Sequence, residues 1–165
     1  MIILGIETSC DETSAAVIKN GQVLSNIVLS QTVHSKFGGV VPDLASKNHD
    51  KYIYDVVQKS IADSGININD LSAVCVTYGS GLLSSLIVGV NFAKGLSVGL
   101  NIPFIGINHL EGHLYSSFID KTIEYPFLSL IVSGGHTQIW IVNNYNDYKI
   151  VSTTVDDAAG EAFDK

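Results

Sequence analysis

The sequence predicts an α/β fold, and three observations predict it. Short β-branched apolar runs alternate with longer segments of helical period. Asn20-Gly21 separates two such runs, the strongest hairpin signature in the chain, because a type I′ turn needs positive φ at both central residues. After Tyr125-Pro126 the order of elements starts again.

Taken in order, 2–7 is an apolar strand closed by a polar loop, 14–19 a second strand, and 22–30 its hairpin return. Residues 41–64 read as a helix, with Leu44, Tyr52, Val56 and Ile61 marking the apolar face and Gly65 the stop. A strand over 73–78 turns at Gly79-Ser80-Gly81 into a helix over 82–100. Gly89, Ala93, Gly95 and Gly99 suit that helix to tight packing. The glycine turn is not a dinucleotide fingerprint, whose third glycine would fall at Ser84. A strand over 103–107 leads to Asn108, which can cap the next helix. Then come strands over 127–132, 137–142 and 149–154, joined by Ser133-Gly134-Gly135, and a helix start over 156–165. The pattern β-β-β-α-β-α-β-α followed by β-β-β-α resembles, at fold level, the layout of actin-like and sugar-kinase ATPases. The expected organisation is a first lobe over 1–125, carrying a pair of histidines, and the opening strands and helix start of a second, truncated lobe over 126–165.

Composition narrows the class. The 165 residues suffice for a real core, with 46% hydrophobic and 15% charged residues. A net charge of −7 argues against a broad basic surface for nucleic acid, so such a partner would need a local patch, a further segment or a second protein. Two cysteines, Cys10 and Cys75, make no disulfide framework. The first residues lack a basic n-region, and the apolar stretch over 82–107 is broken by Asn91, Lys94, Asn101 and Pro103. A cytoplasmic protein without a membrane span is expected, and the ending within a helix start suggests a piece of a longer protein.

Several clusters carry chemistry. His109 and His113 stand four apart at a helix start, which puts both imidazoles on one face, about one turn apart. Neutral imidazole suits zinc or ferrous iron, so the pair can serve one ion. The bland reading is a chance spacing. The metalloprotease reading fails on geometry, because Glu111 lies roughly 200° around the helix from His109. The loop Glu7-Thr8-Ser9-Cys10-Asp11-Glu12-Thr13-Ser14 is a candidate phosphate or metal loop through Glu7, Thr8, Ser9, Asp11 and Glu12, against the alternative of a solvated turn. Ser133-Gly134-Gly135-His136-Thr137 is the equivalent turn of the second lobe. Its glycines let a ligand approach backbone N–H groups, where an ordinary hairpin is the alternative. Two such turns can clamp one nucleotide. His34 and His49, without such company, read as surface or loop residues.

Together five blocks resemble one family: Gly5-Ile6-Glu7-Thr8-Ser9-Cys10-Asp11-Glu12-Thr13, Gly38-Gly39-Val40-Val41-Pro42, Asn108-His109-Leu110-Glu111-Gly112-His113, Val132-Ser133-Gly134-Gly135-His136-Thr137-Gln138, and Asp156 through Lys165. They look like the TsaD family, formerly the O-sialoglycoprotein endopeptidase family, and the likeness runs in order along the whole chain. The resemblance implies an actin-like (ribonuclease H-like, ASKHA) ATPase fold. It also implies transfer of a threonylcarbamoyl group from threonylcarbamoyl-AMP to the N6 amine of the adenosine beside the anticodon of tRNAs reading codons that start with A. It implies one divalent metal, iron or zinc, on His109 and His113, with a third ligand, an aspartate, beyond Lys165. It further implies a nucleotide (threonylcarbamoyl-AMP or ATP), with the adenylate held by Ile131, Val132, Ser133, Gly134, Gly135 and Asp164, and no catalytic side chain that is certain. The implied partners are tRNA, a TsaB-like paralogue in a heterodimer and a TsaE-like ATPase. Ser80 and Asp43 depart from the family's usual proline and glutamate, and neither falls on the implied metal or adenylate positions. A non-catalytic scaffold paralogue is the alternative reading, and the peptidase of the old name is a weaker one.

Overall fold

The computed structural model describes residues 1–119 and 121–164, and the side chains of Glu161 and Asp164 lie outside the described set. The elements run β1 (Ile2–Glu7), β2 (Glu12–Lys19), β3 (Gln22–Ser30), α1 (Pro42–Ser64), β4 (Ala73–Gly79), α2 (Leu83–Leu100), β5 (Phe104–Asn108), α3 (His109–Ser116), β6 (Phe127–Val132), β7 (Thr137–Asn144), β8 (Asp147–Thr153) and α4 (Ala159–Asp164). Two 3₁₀ turns, Thr32–Phe37 and Ile68–Asp70, join the predicted elements. The chain divides into two compact units, Met1–Glu111 and Gly112–Lys165.

The first unit is built on a five-stranded sheet of order β3-β2-β1-β4-β5. β1, β2 and β3 pair antiparallel, while β1-β4 and β4-β5 are parallel. Asn20 and Gly21 both take positive φ, as the β2-β3 hairpin requires. Register aligns Leu4 with Val17 and Val74, and Ile6 with Ala15 and Val76. These six side chains form one sheet face, and Ile53, Val56 and Val57 of α1 and Ala93 of α2 join them in the core. Each fully buried Val, Leu or Ile side chain there is worth about 1.5–3 kcal/mol. The opposite face, through Gly5, Glu7, Ser14, Ala16, Asn26, Cys75, Thr77 and Ile107, lines a hollow of about 240 Å³. By length and composition α2 could cross a membrane, yet Ser85, Leu86, Gly89 and Ala93 are buried within the unit.

Two sequence expectations need correction. The buried face of α1 is Ala45, His49, Ile53, Val56, Val57 and Ser60, and Leu44, Tyr52 and Ile61 are only half-buried. His34 and His49 are interior, not surface, residues at 5% and 0% exposure. Polar partners inside the fold make this burial tolerable, as buried polar groups require.

The second unit holds an antiparallel meander, β6-β7-β8. Among its described residues Leu114, Ile131, Trp140, Val142 and Ala158 are the buried apolar ones. Trp140 stacks against Tyr148 with centroids 4.8 Å apart and donates its indole N–H to Gln138 at 2.9 Å.

Candidate functional site

Parallel pairing brings the carboxyl ends of β1, β4 and β5 together, the place where ligands bind in open α/β sheets. Glu7 closes β1, Thr77 lies near the end of β4, and His109 follows β5 directly. Asn108 accepts the Leu110 N–H at 2.9 Å and so starts α3 at His109, as its residue type predicts.

The His109 ring is held from behind. Its Nδ1 lies 3.1 Å from Ser9 Oγ and 3.4 Å from Glu7 Oε2. Glu7 in turn accepts from the Ser9 backbone N–H and from the Thr77 hydroxyl. Burial alone would raise the Glu7 pKa. The hydrogen bonds from His109, Ser9 and Thr77 outweigh it and bring the group from 4.5 to about 2. An ionised carboxylate against Nδ1 favours the Nδ1–H tautomer, the way metal-bound histidines are commonly braced. This donor chemistry fits a borderline divalent ion. His113 is exposed on the same helix, α3. Among the described residues no three His, Cys, Asp or Glu side chains converge on one metal site.

The polar loop after β1 is turned largely inward. Thr8 is fully buried and donates to the Ser85 carbonyl at 2.9 Å, and Ser9 is buried with its carbonyl accepting from Leu82 N–H at 2.7 Å. α2 and the turn before it approach so closely that a Cβ at Gly89 would lie 2.3 Å from Thr8 Oγ1, and one at Gly81 would lie 2.5 Å from the Ser9 carbonyl oxygen. Asp11 is half-buried, while Glu12 is exposed and accepts from Ser30 at 2.9 Å. Cys10 is exposed, but desolvation, then the Asp11 charge, push its thiol up to about 11, which makes it a poor nucleophile near neutral pH.

In the second unit Ile131 is buried, Val132 exposed, Ser133 half-buried, and Gly134 and Gly135 exposed. Ser133 closes its turn by donating its N–H to the His136 carbonyl at 2.8 Å and accepting the His136 N–H on Oγ at 3.1 Å. Gly160 packs against this turn, where a Cβ would sit 2.7 Å from the Ser133 carbonyl oxygen. The side chain of Asp164 lies outside the described residues.

The residues that sequence reasoning passed over are His49 and His34. His49 Nε2–H donates to the Cys10 carbonyl at 2.9 Å, and its Nδ1 accepts from Thr13 at 2.8 Å. His34 Nε2 donates to Gln31 Oε1 at 2.9 Å, and its Nδ1 accepts the Val41 N–H at 3.3 Å. A signal existed for the first. His49 stands four residues from both Ala45 and Ile53, on one stripe of α1.

Comparison with known proteins places this arrangement. The family model TsaD, tRNA N6-adenosine threonylcarbamoyltransferase, matches residues 22–165. The curated tRNA N6-adenosine threonylcarbamoyltransferase of Thermodesulfovibrio yellowstonii is 52% identical over 167 residues, covering 100% of this chain and 50% of that protein. That of Phocaeicola vulgatus is 54% identical over 170 residues, covering 99% and 50%. The chain thus spans about half the length of the curated relatives it matches. Among solved structures, YeaZ from Pseudomonas aeruginosa aligns with a TM-score of 0.59 at 12% identity, over 93% of this chain and 68% of that one. ROK hexokinase from Thermus thermophilus aligns at 0.53 and 15%, over 98% and 52%. These likenesses show an actin-like ATPase fold, as the repeated element order predicts.

Proposed function

Because the chain belongs to the TsaD family of tRNA N6-adenosine threonylcarbamoyltransferases, we propose that it carries the histidine-bearing part of such a transferase. The substrates would be threonylcarbamoyl-AMP and the adenosine beside the anticodon of tRNAs reading codons that start with A. The observation that carries this reading is the braced His109, with Glu7 and Ser9 on its Nδ1 at the carboxyl end of the sheet, in a chain 52% identical to a named transferase.

His109 and His113 would hold one iron or zinc ion, which when bound would supply Lewis-acid polarisation of the carbamoyl carbonyl. Glu7 keeps the His109 ring in its ligating tautomer. The Ser133-Gly134-Gly135 turn, with its two exposed glycines, would offer backbone N–H groups to the adenylate, with Ile131 and Val132 before it in sequence and Asp164 further along the chain. The adenosine N6 attacks the carbamoyl carbon, a C–N bond forms, the bond from that carbon to the AMP phosphate oxygen breaks, and the amine proton passes to solvent. The high pKa of Cys10 is consistent with a route that needs no thiol nucleophile. tRNA, a TsaB-like paralogue and a TsaE-like ATPase are the proposed partners, in the cytoplasm.

The His109→Ala, His113→Ala double variant tests the reading, in protein that includes the whole catalytic chain. Metal content should fall to background, and threonylcarbamoyl transfer should drop by more than about 100-fold. Full activity with full metal content in the double variant would sink the metal role.

A further inference from the structure

We propose that His49 is a positioning residue for His109, acting through the loop after β1. The inference rests on the reading of His109 as a metal ligand. His49 sits fully buried on α1 and grips that loop at two points, the Cys10 carbonyl and the Thr13 hydroxyl. Gln31 adds a third, since its backbone N–H donates to the Asp11 carbonyl at 3.0 Å. The Gln31 side chain also ties the assembly to α1, donating to the Ala45 carbonyl at 3.2 Å and lying 3.4 Å from His49 Nε2. Asn48 and His34 satisfy the other end of the same amide.

From the other side, Ser85 and Leu82 anchor Thr8 and Ser9. The loop is therefore fixed on both flanks of Ser9, which itself holds the His109 ring and organises Glu7 through its N–H. A fully buried imidazole with both nitrogens committed has one job in this arrangement. It sets where Cys10 lies, hence where Ser9 and Glu7 lie, hence which nitrogen of His109 carries the proton.

The test uses the 165-residue chain and a readout independent of transfer. Long-range ¹H–¹⁵N spectra of the imidazoles report the His109 tautomer near neutral pH. In the wild-type chain the Nδ1–H form should dominate. In His49→Leu it should give way to Nε2–H, and in the conservative His49→Gln, which keeps a donor toward the Cys10 carbonyl, it should largely return. Thr13→Val removes one grip with little change in shape, and it should show a smaller shift in the same direction should His49→Leu fail to fold. Binding of cobalt(II), added alone as a probe, should weaken about 10-fold in His49→Leu and recover in His49→Gln. A folded His49→Leu or Thr13→Val chain with an unchanged His109 tautomer overturns the proposal. A shifted tautomer with cobalt binding indifferent to His109→Ala would leave the positioning role standing and remove the metal reading instead.

Discussion

Gly89 and Gly95 lie on the same helix and should respond to alanine in opposite ways. Alanine gains about 1 kcal/mol over glycine inside a helix. At Gly95 nothing lies within 4 Å of the added carbon, so Gly95→Ala should stabilise by up to that amount. At Gly89 the added carbon would meet the buried Thr8 hydroxyl at 2.3 Å and break its bond to Ser85. Overpacking costs about 1–3 kcal/mol, so Gly89→Ala should be net destabilising in urea unfolding. His49 sets a pH dependence of its own. Burial lowers its pKa below 6.5, against the opposing pull of the Cys10 carbonyl, Glu7 and Asp11, with His34 adding to the lowering. Below 6.5 the unfolded chain takes up a proton that the native ring resists. The stability held above 6.5 should therefore be lost as pH falls through 6.5 toward the folded value. Unfolding titrations from about pH 8 to pH 5 check this, and His49→Gln should flatten the slope. The sequence alone placed His109 and His113 on one helix, because their spacing is local. It hid the role of His49, because Thr13 and the Cys10 carbonyl reach it only through the fold.

Local rules set the elements well. Gln22–Ser30 and Phe127–Val132 follow their apolar patterns to the residue. Asn108 does what its side chain suggests, although it also ends β5. Asn108→Ala should cost about 1 kcal/mol and should raise amide exchange in the first turn of α3 before any other helix. α1 was the element least legible. Its buried stripe contains Ala45, His49 and Ser60, which a search for large apolar residues passes over. Ser60 is buried because Ser25 on β3 donates to its carbonyl at 2.7 Å, a partner 35 residues away in sequence. Where burial is made tolerable by a distant polar partner, periodicity of apolar residues points to the neighbouring stripe.

At the scale of the molecule, charge limits what the chain can hold by itself. A net charge of −7 offers few phosphate contacts, and non-specific nucleic-acid binding depends on such contacts. In gel-shift titrations at about 150 mM salt, the chain alone should leave tRNA unshifted at micromolar concentrations. Retention there would reveal a local basic patch that the total charge conceals. The strand order of the first unit has a further consequence, for the order of folding. β1, β2 and β3 are neighbours in sequence and can zip as a meander with short loops. β4 and β5 must join in parallel only after α1 and α2 have closed long loops, a costlier search. Glu7 meets Thr77 across 70 residues and His109 across 102. Its braced histidine is thus assembled by the slowest pairing in the sheet, so partly folded chains would hold the meander but no organised His109, and the brace becomes a marker of completed folding.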